Sequence, residues 1–185
     1  MINASDYDRF SIVTFAPPDI REAVDTQRRQ LPPSGRPIMA AHVTIKGTFV
    51  DPVDLDEITE VICGACAEAA PFDVTTSHVH TFSGPDAGGV ALLVEPSDAF
   101  LALHRRLVED LHTHCRTIYD MELTNTFRPH LTIVQQIPAG SVAASRSLVE
   151  AAQSRYTFPA TEAVLVGRRI GQAWESLRAM QIGRP

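Results

Sequence analysis

No apolar run in the 185 residues approaches the length of a membrane-spanning helix, which excludes a helical membrane protein. Basic charge is scarce as well. The formal net charge is −6 and the pI about 5.6, without the basic footprint of proteins that grip long nucleic acids by their backbone. A phosphate ligand must then be held locally, by a few residues in a pocket. That points to a small substrate or one end of an RNA. Cysteine is limited to Cys63, Cys66 and Cys115. An odd count with no secretory signal fits a reducing compartment. Residues 1–10 lack a basic patch followed by an apolar stretch, so a cytoplasmic location is expected. Cys63-Gly-Ala-Cys66 has no second pair and no strand-to-helix setting. It reads as small apolar residues on a helix face rather than a zinc or redox pair. What remains is an ordinary globular composition, 44% hydrophobic and 21% charged. The length suits one compact domain, or two small lobes sharing a cleft.

Hydrophobic periodicity and turn residues give alternating strands and helices. Residues 9–15 form a β-rich run, and Pro17-Pro18-Asp19 opens a helix through about Arg29. After a Pro/Gly loop at 32–37, residues 42–49 form a strand, 54–70 a helix and 72–77 another strand. The same order then recurs. Residues 89–94 form an apolar strand, and Pro96-Ser97-Asp98 caps a helix through about His112. A loop to Pro129 precedes a strand at 130–134, a helix at 141–154 and a strand opening at 156–158. The tail, 162–182, adds strands around a hairpin-like break at 168–172. The chain is therefore expected to be a single domain, 1–185, with repeats of about 9–77 and 89–158. Two such units related by a pseudo-two-fold axis bring equivalent strands together, with helices on the outer faces.

Those equivalent strands carry the candidate chemistry. Side chains on a strand alternate between faces. His42, Thr44 and Lys46 are expected on one face of the first strand, with Val43 and Ile45 opposite. On the second, Arg128, His130 and Thr132 share a face and Leu131 and Ile133 the other. Pro129 favours extended backbone at Arg128. An imidazole and a hydroxyl two residues apart can converge on one phosphoryl group. The imidazole moves a proton at a bridging oxygen and the hydroxyl donates to a non-bridging one. Two such units facing each other supply one general base and one general acid without a metal. Histidine suits both roles because its unperturbed pKa is about 6.5. Thr44 and Thr132, helped by Lys46 or Arg128, would hold the charge that develops on the phosphoryl oxygens.

His42-Val-Thr-Ile-Lys46 and Arg128-Pro-His-Leu-Thr-Ile133 closely resemble the paired signatures of the two-histidine (2H) phosphoesterase superfamily. The branch they are most similar to is the bacterial RNA 2′,3′-cyclic phosphodiesterases, long labelled 2′-5′ RNA ligases. The resemblance implies an α+β, bilobal LigT-like fold, with antiparallel sheets lining a central cleft. It implies metal-independent hydrolysis of a 2′,3′-cyclic phosphate, on an RNA 3′ end or a small nucleotide, with no cofactor. His42 and His130 take the places of the family's histidines, and Thr44 and Thr132 those of its Thr/Ser positions. The sequence leaves open which histidine is base and which is acid. It leaves open two alternatives: a module that binds a nucleotide or RNA end without turnover, and a phosphodiesterase for a linear 2′-5′ linkage.

Other residues carry weaker expectations. Phe127 and Tyr119 are candidates to stack on a base near the second motif, with core packing as the alternative. His78 and His80 are placed at a solvated or cleft-rim position, and His112 and His114 at a helix end. His104, beside Arg105 and Arg106, is expected to face solvent. The Gly-rich stretch 83–89 reads as a flexible turn and, lacking Lys-Ser/Thr before a helix, not as a P-loop.

Overall fold

The computed structural model describes residues 4–35, 39–118 and 126–183. Among them, β1 (Arg9–Phe15), α1 (Pro18–Arg28), β2 (His42–Val50), α2 (Leu55–Glu68) and β3 (Phe72–Ser83) make the first half. The second comprises β4 (Ala87–Glu95), α3 (Asp98–Leu111), β5 (Arg116–Thr117), β6 (His130–Pro138), α4 (Val142–Ala151), β7 (Thr157–Ala160), β8 (Glu162–Arg168) and β9 (Trp174–Gln181). Helix starts follow their capping chemistry. Pro17 and Pro18 preset the first turn of α1. Asp54 Oδ1 accepts from the Asp56 and Glu57 amides at α2, and Ser97 Oγ from the Phe100 amide at α3.

The strands form one antiparallel sheet in the order β7-β3-β4-β6-β2-β1-β8-β9, with β5 added to β2. Both His-x-Thr strands thus lie at its centre, side by side. Helices cover it crosswise. α1 follows β1 yet packs against β6, and α3 follows β4 yet packs against β2. α4 lies against β3 and β4, and α2 against β9 and α3. One hydrophobic core runs beneath the whole sheet, from Phe158 and Val74 through Leu131 and Val43 to Leu165 and Met180. A separate small cluster, Val13, Val164 and Val166, lies on the other face of β1 and β8 with Phe15, Met39 and Trp174 against it.

Close strand approach decides one glycine. Gly89 sits at a register shift between β4 and β6, where a Cβ would stand 2.7 Å from the Val134 carbonyl oxygen. The 83–89 stretch is mostly strand: β3 runs to Ser83 and β4 starts at Ala87, leaving a short hairpin. Cys66 lies in the core and Cys63 on the exposed side of α2. Burial, with a smaller contribution from Cys63, pushes the Cys66 thiol up to about 12, so it packs as a small apolar group. No helix among the described residues is long and apolar enough to cross a membrane.

Candidate functional site

β2 and β6 pair antiparallel through Val43 and Leu131, both fully buried in the core. Their neighbours therefore point to the opposite, open face. One step forward on one strand is one step back on the other, so His42 stands across from Thr132 and Thr44 across from His130. Each imidazole faces the other motif's hydroxyl, and the two rings lie on a diagonal. The partly buried side chains of all four reach the same face.

The two histidines are held in matching fashion. His42 Nδ1 lies 2.8 Å from the Ala40 carbonyl oxygen, and His130 Nδ1 lies 2.9 Å from that of Arg128. A carbonyl only accepts, so Nδ1 carries the proton and donates it. In the neutral ring, Nε2 then presents its lone pair to the cleft. Neither Nε2 nor either threonine hydroxyl has a protein partner among the described residues. Four groups able to touch a phosphoryl group are left for a ligand.

Burial drives the His42 pKa down to about 4 against the opposing pull of the Ala40 carbonyl; the positive charge of Arg28, then that of His130, pushes further in the same direction. His130 is also held below the usual range by burial, opposed by the Arg128 carbonyl and reinforced by His80. The effect of His130 on His42 places both rings within one electrostatic neighbourhood.

Aromatic groups flank the pair. Phe15, opposite His42 in the β1–β2 register, meets its ring edge-on at 6.1 Å between centroids. Phe82 on β3 lies 4.7 Å from His130 and 4.9 Å from His80, which puts His80 at the rim of the cleft. Beside His42 opens a groove of about 520 Å³, lined by Phe15, Met39, Ala40, Val166 and Trp174, with Arg21 and Glu162 among its polar groups.

Two expectations need correction. Lys46 does not share the cleft face of His42 and Thr44. An irregularity in the β1–β2 register makes Thr44 pair with Val13 but Lys46 with Ile12, a core residue on the opposite face. Lys46 is fully buried, with Nζ 3.2 Å from Thr117 Oγ1 and over the Phe49 ring. His104 is not at the surface. It is 5% exposed, and its Nδ1 lies 2.7 Å from the Ile45 carbonyl oxygen. Phe127 stacks on His104, with ring centroids 4.1 Å apart and planes at 7°, and packs against the core, the second of the two readings open for it. Arg128 is exposed beside the second motif, and Tyr119 lies outside the described residues. The bulge between Thr76 and Val79 takes His78 out of the ladder that holds His80. His114 Nδ1 sits 3.4 Å from Glu57. No group of three His, Cys, Asp or Glu able to hold a metal forms among the described residues.

Sequence reasoning missed Arg28, Phe15, Trp174 and Phe82. Arg28 sits in an unremarkable Gln-Arg-Arg run and carries no motif. Phe15 had a usable signal, since a strand neighbouring the first motif must place some side chain against His42.

A family profile described as the 2′-5′ RNA ligase superfamily matches residues 16–172. No functionally curated protein matches the chain in sequence. Among solved structures, TT0787 of Thermus thermophilus is similar, with 16% identity, a TM-score of 0.67, and coverage of 94% of this chain and 97% of that one. LigT of E. coli, crystallised with ATP, has 18% identity and a TM-score of 0.58, with 97% and 99% covered. Usb1 of Kluyveromyces marxianus, with uridine monophosphate, has 13% identity and a TM-score of 0.53, with 95% and 99% covered. At these identities the likeness is one of fold.

Proposed function

The chain belongs to the 2′-5′ RNA ligase superfamily of two-histidine phosphoesterases, and from that premise we propose that it is a metal-independent phosphodiesterase that opens a 2′,3′-cyclic phosphate on a small nucleotide or an RNA 3′ end. The observation that carries this reading is the pair of Nδ1-anchored imidazoles, each leaving Nε2 and a neighbouring threonine hydroxyl unpartnered on one face among the described residues.

In this reading His42 is the base. Its ring resists protonation more strongly, with a pKa of about 4, so its Nε2 lone pair is present across the physiological range. It takes a proton from water as the water oxygen bonds to phosphorus. His130 is the acid. The bound phosphate anion raises its proton affinity, and its Nε2–H is given to the ribose oxygen as the P–O bond to that oxygen breaks. Water and cyclic diester become a phosphomonoester and a free ribose hydroxyl. Both rings return to their starting state through solvent. Thr44 and Thr132 donate to the non-bridging oxygens, where negative charge grows, each worth about 10²–10³ in rate by analogy with other oxyanion donors. The nucleoside lies in the groove beside His42, its base against Phe15 and Trp174. The ATP crystallised with LigT and the uridine monophosphate crystallised with Usb1 agree with a site of this scale.

A linear 2′-5′ diester is the second reading. The observation in its favour is that aromatic side chains stand on both flanks, Phe15 by His42 and Phe82 by His130. A nucleoside on each side of phosphorus would use both. The test is turnover in EDTA of 2′,3′-cyclic nucleotides against 2′-5′ dinucleotides, with products identified. The first reading expects ring opening, lost in His42→Ala and in His130→Ala while both remain folded. Tight binding of intact cyclic phosphate without product would instead make the chain a binding module.

A further inference from the structure

The sheet is thin where the chemistry needs it to be rigid. Among the described residues β2 and β6 share one pair of Cα partners, Val43 and Leu131, yet two imidazoles on those strands must meet one phosphorus. Beside this seam lies the guanidinium of Arg28, the last residue of α1. Its Nη2 donates to the Thr132 carbonyl at 2.9 Å and its Nε to the Ile133 carbonyl at 3.2 Å. Its Nη1 donates to the Met39 carbonyl at 3.2 Å and to Asp25 Oδ1 at 2.9 Å. Met39 adjoins Ala40, whose carbonyl anchors the His42 ring. A single planar fork therefore joins the segment that orients the first histidine to the backbone of the second motif.

We infer that Arg28 is a positioning residue, which sets the placement of the His42 motif relative to the His130 motif and keeps its charge beside the first imidazole.

The chemistry of the side chain argues for this role over simple helix capping. Its side chain is 15% exposed, and burial lowers its pKa against the support of Asp25. Desolvating a cation to reach three carbonyls is worthwhile only where those carbonyls must be held together. Lysine cannot substitute: it is a point donor without the rigid fork. Among the described residues, the charged or titratable groups that act on His42 are Arg28 on α1 and His130 on β6, while Arg21, Glu162 and Glu175 line the groove that Ala40 also lines. Of these, Arg28 has the largest effect on the His42 proton.

The inference rests on the two-histidine reading only for its kinetic arm. In R28Q the charge and the fork are both lost; in R28K the charge stays. Proton NMR of the imidazoles, with no substrate, should show His42 titrating higher in R28Q than in wild type and close to wild type in R28K, with His130 moving less. On a cyclic nucleotide whose turnover His42→Ala abolishes, both variants should lose about tenfold to hundredfold in kcat, the cost of a misplaced reacting group, with KM little changed. In the wild type itself, the Arg28 Nε–H should exchange slowly with solvent, a measurement that needs no variant to fold. A freely exchanging Nε–H overturns the proposal. So does R28Q with wild-type His42 titration and kcat. If His42→Ala is fully active, the catalytic reading fails while the NMR arms still decide on the Arg28 tie.

Discussion

Replacing His42 by Asn should make the protein less sensitive to acid. The imidazole is neutral in the folded protein because burial lowers its pKa from about 6.5 to about 4. Once the chain unfolds, the ring returns to its ordinary value. At pH 7 the ring is unprotonated in both states, and its preference for the folded protein is fully expressed. As pH falls below the unfolded value, the unfolded chain binds a proton that the folded one does not, and stability is lost down to the folded value. Between pH 7 and pH 5 the loss comes to about 2 kcal/mol, out of about 3 kcal/mol for the full shift. For a chain of this length each kcal/mol moves Tm by about 2–4 °C, so His42 alone should account for about 4–8 °C of the wild type's fall in Tm over that interval. His130 acts in the same direction, whereas a carboxylate held below its usual range, such as Asp8 beside Arg168, loses its contribution only at lower pH. The informative quantity is thus the difference between wild type and variant. Asparagine can keep a donor towards the Ala40 carbonyl, which limits structural side effects. Thermal unfolding at pH 7 and pH 5 is the assay. Equal drops in Tm for the two proteins would show that His42 is not held neutral by burial, and the base assignment would lose its support.

Three further outcomes follow from the same structure. With His42 as base and His130 as acid, kcat/KM should rise through the low His42 pKa and fall as the free His130 loses its proton below its ordinary value; a pH–rate profile with its maximum above pH 8 would contradict the assignment. Trp174→Ala removes one wall of the groove and should raise KM for a cyclic nucleotide about tenfold, within the about 1–3 kcal/mol of base stacking, while kcat holds; steady-state kinetics decides it. Gly89→Val places a side chain against the Val134 carbonyl, and urea denaturation should show a loss of about 1–3 kcal/mol or more.

Much of this architecture was legible in the sequence because local chemistry fixes it. Proline and serine marked the starts of α1 and α3, and Asp54 that of α2. Strict alternation put Val43 and Leu131 in the core and their His and Thr neighbours outside. Lys46 was misread because alternation holds only while the ladder is regular. One extra residue opposite the step from Ile12 to Val13 turns Lys46 to the core face, and nothing in His-Val-Thr-Ile-Lys announces it. His104 looked exposed beside two arginines, but helical spacing aligns it with Phe100, Leu103, Leu107 and Leu111 on the buried stripe of α3. Phe127 was open to two readings until a partner, His104, came from another element. Arg28 was illegible for the same reason. Its three carbonyl partners come from backbone, which has no side-chain signature, on a strand more than a hundred residues away and a segment beyond the end of its own helix. The duplicated element order and the family resemblance together brought the two His-x-Thr strands near each other, but the strand order of one continuous sheet, with β2 paired to β6 at its centre, was not legible, because pairing across the seam rests on backbone hydrogen bonds that no side chain announces.

The decisive measurement is to titrate the protein with a nucleoside 2′-monophosphate while following the ring protons of both histidines by NMR. Convergence on one phosphorus predicts that His42 and His130 respond together, with one dissociation constant, and that both become easier to protonate in the complex. A phosphate that perturbs one imidazole and leaves the other unchanged would contradict the account.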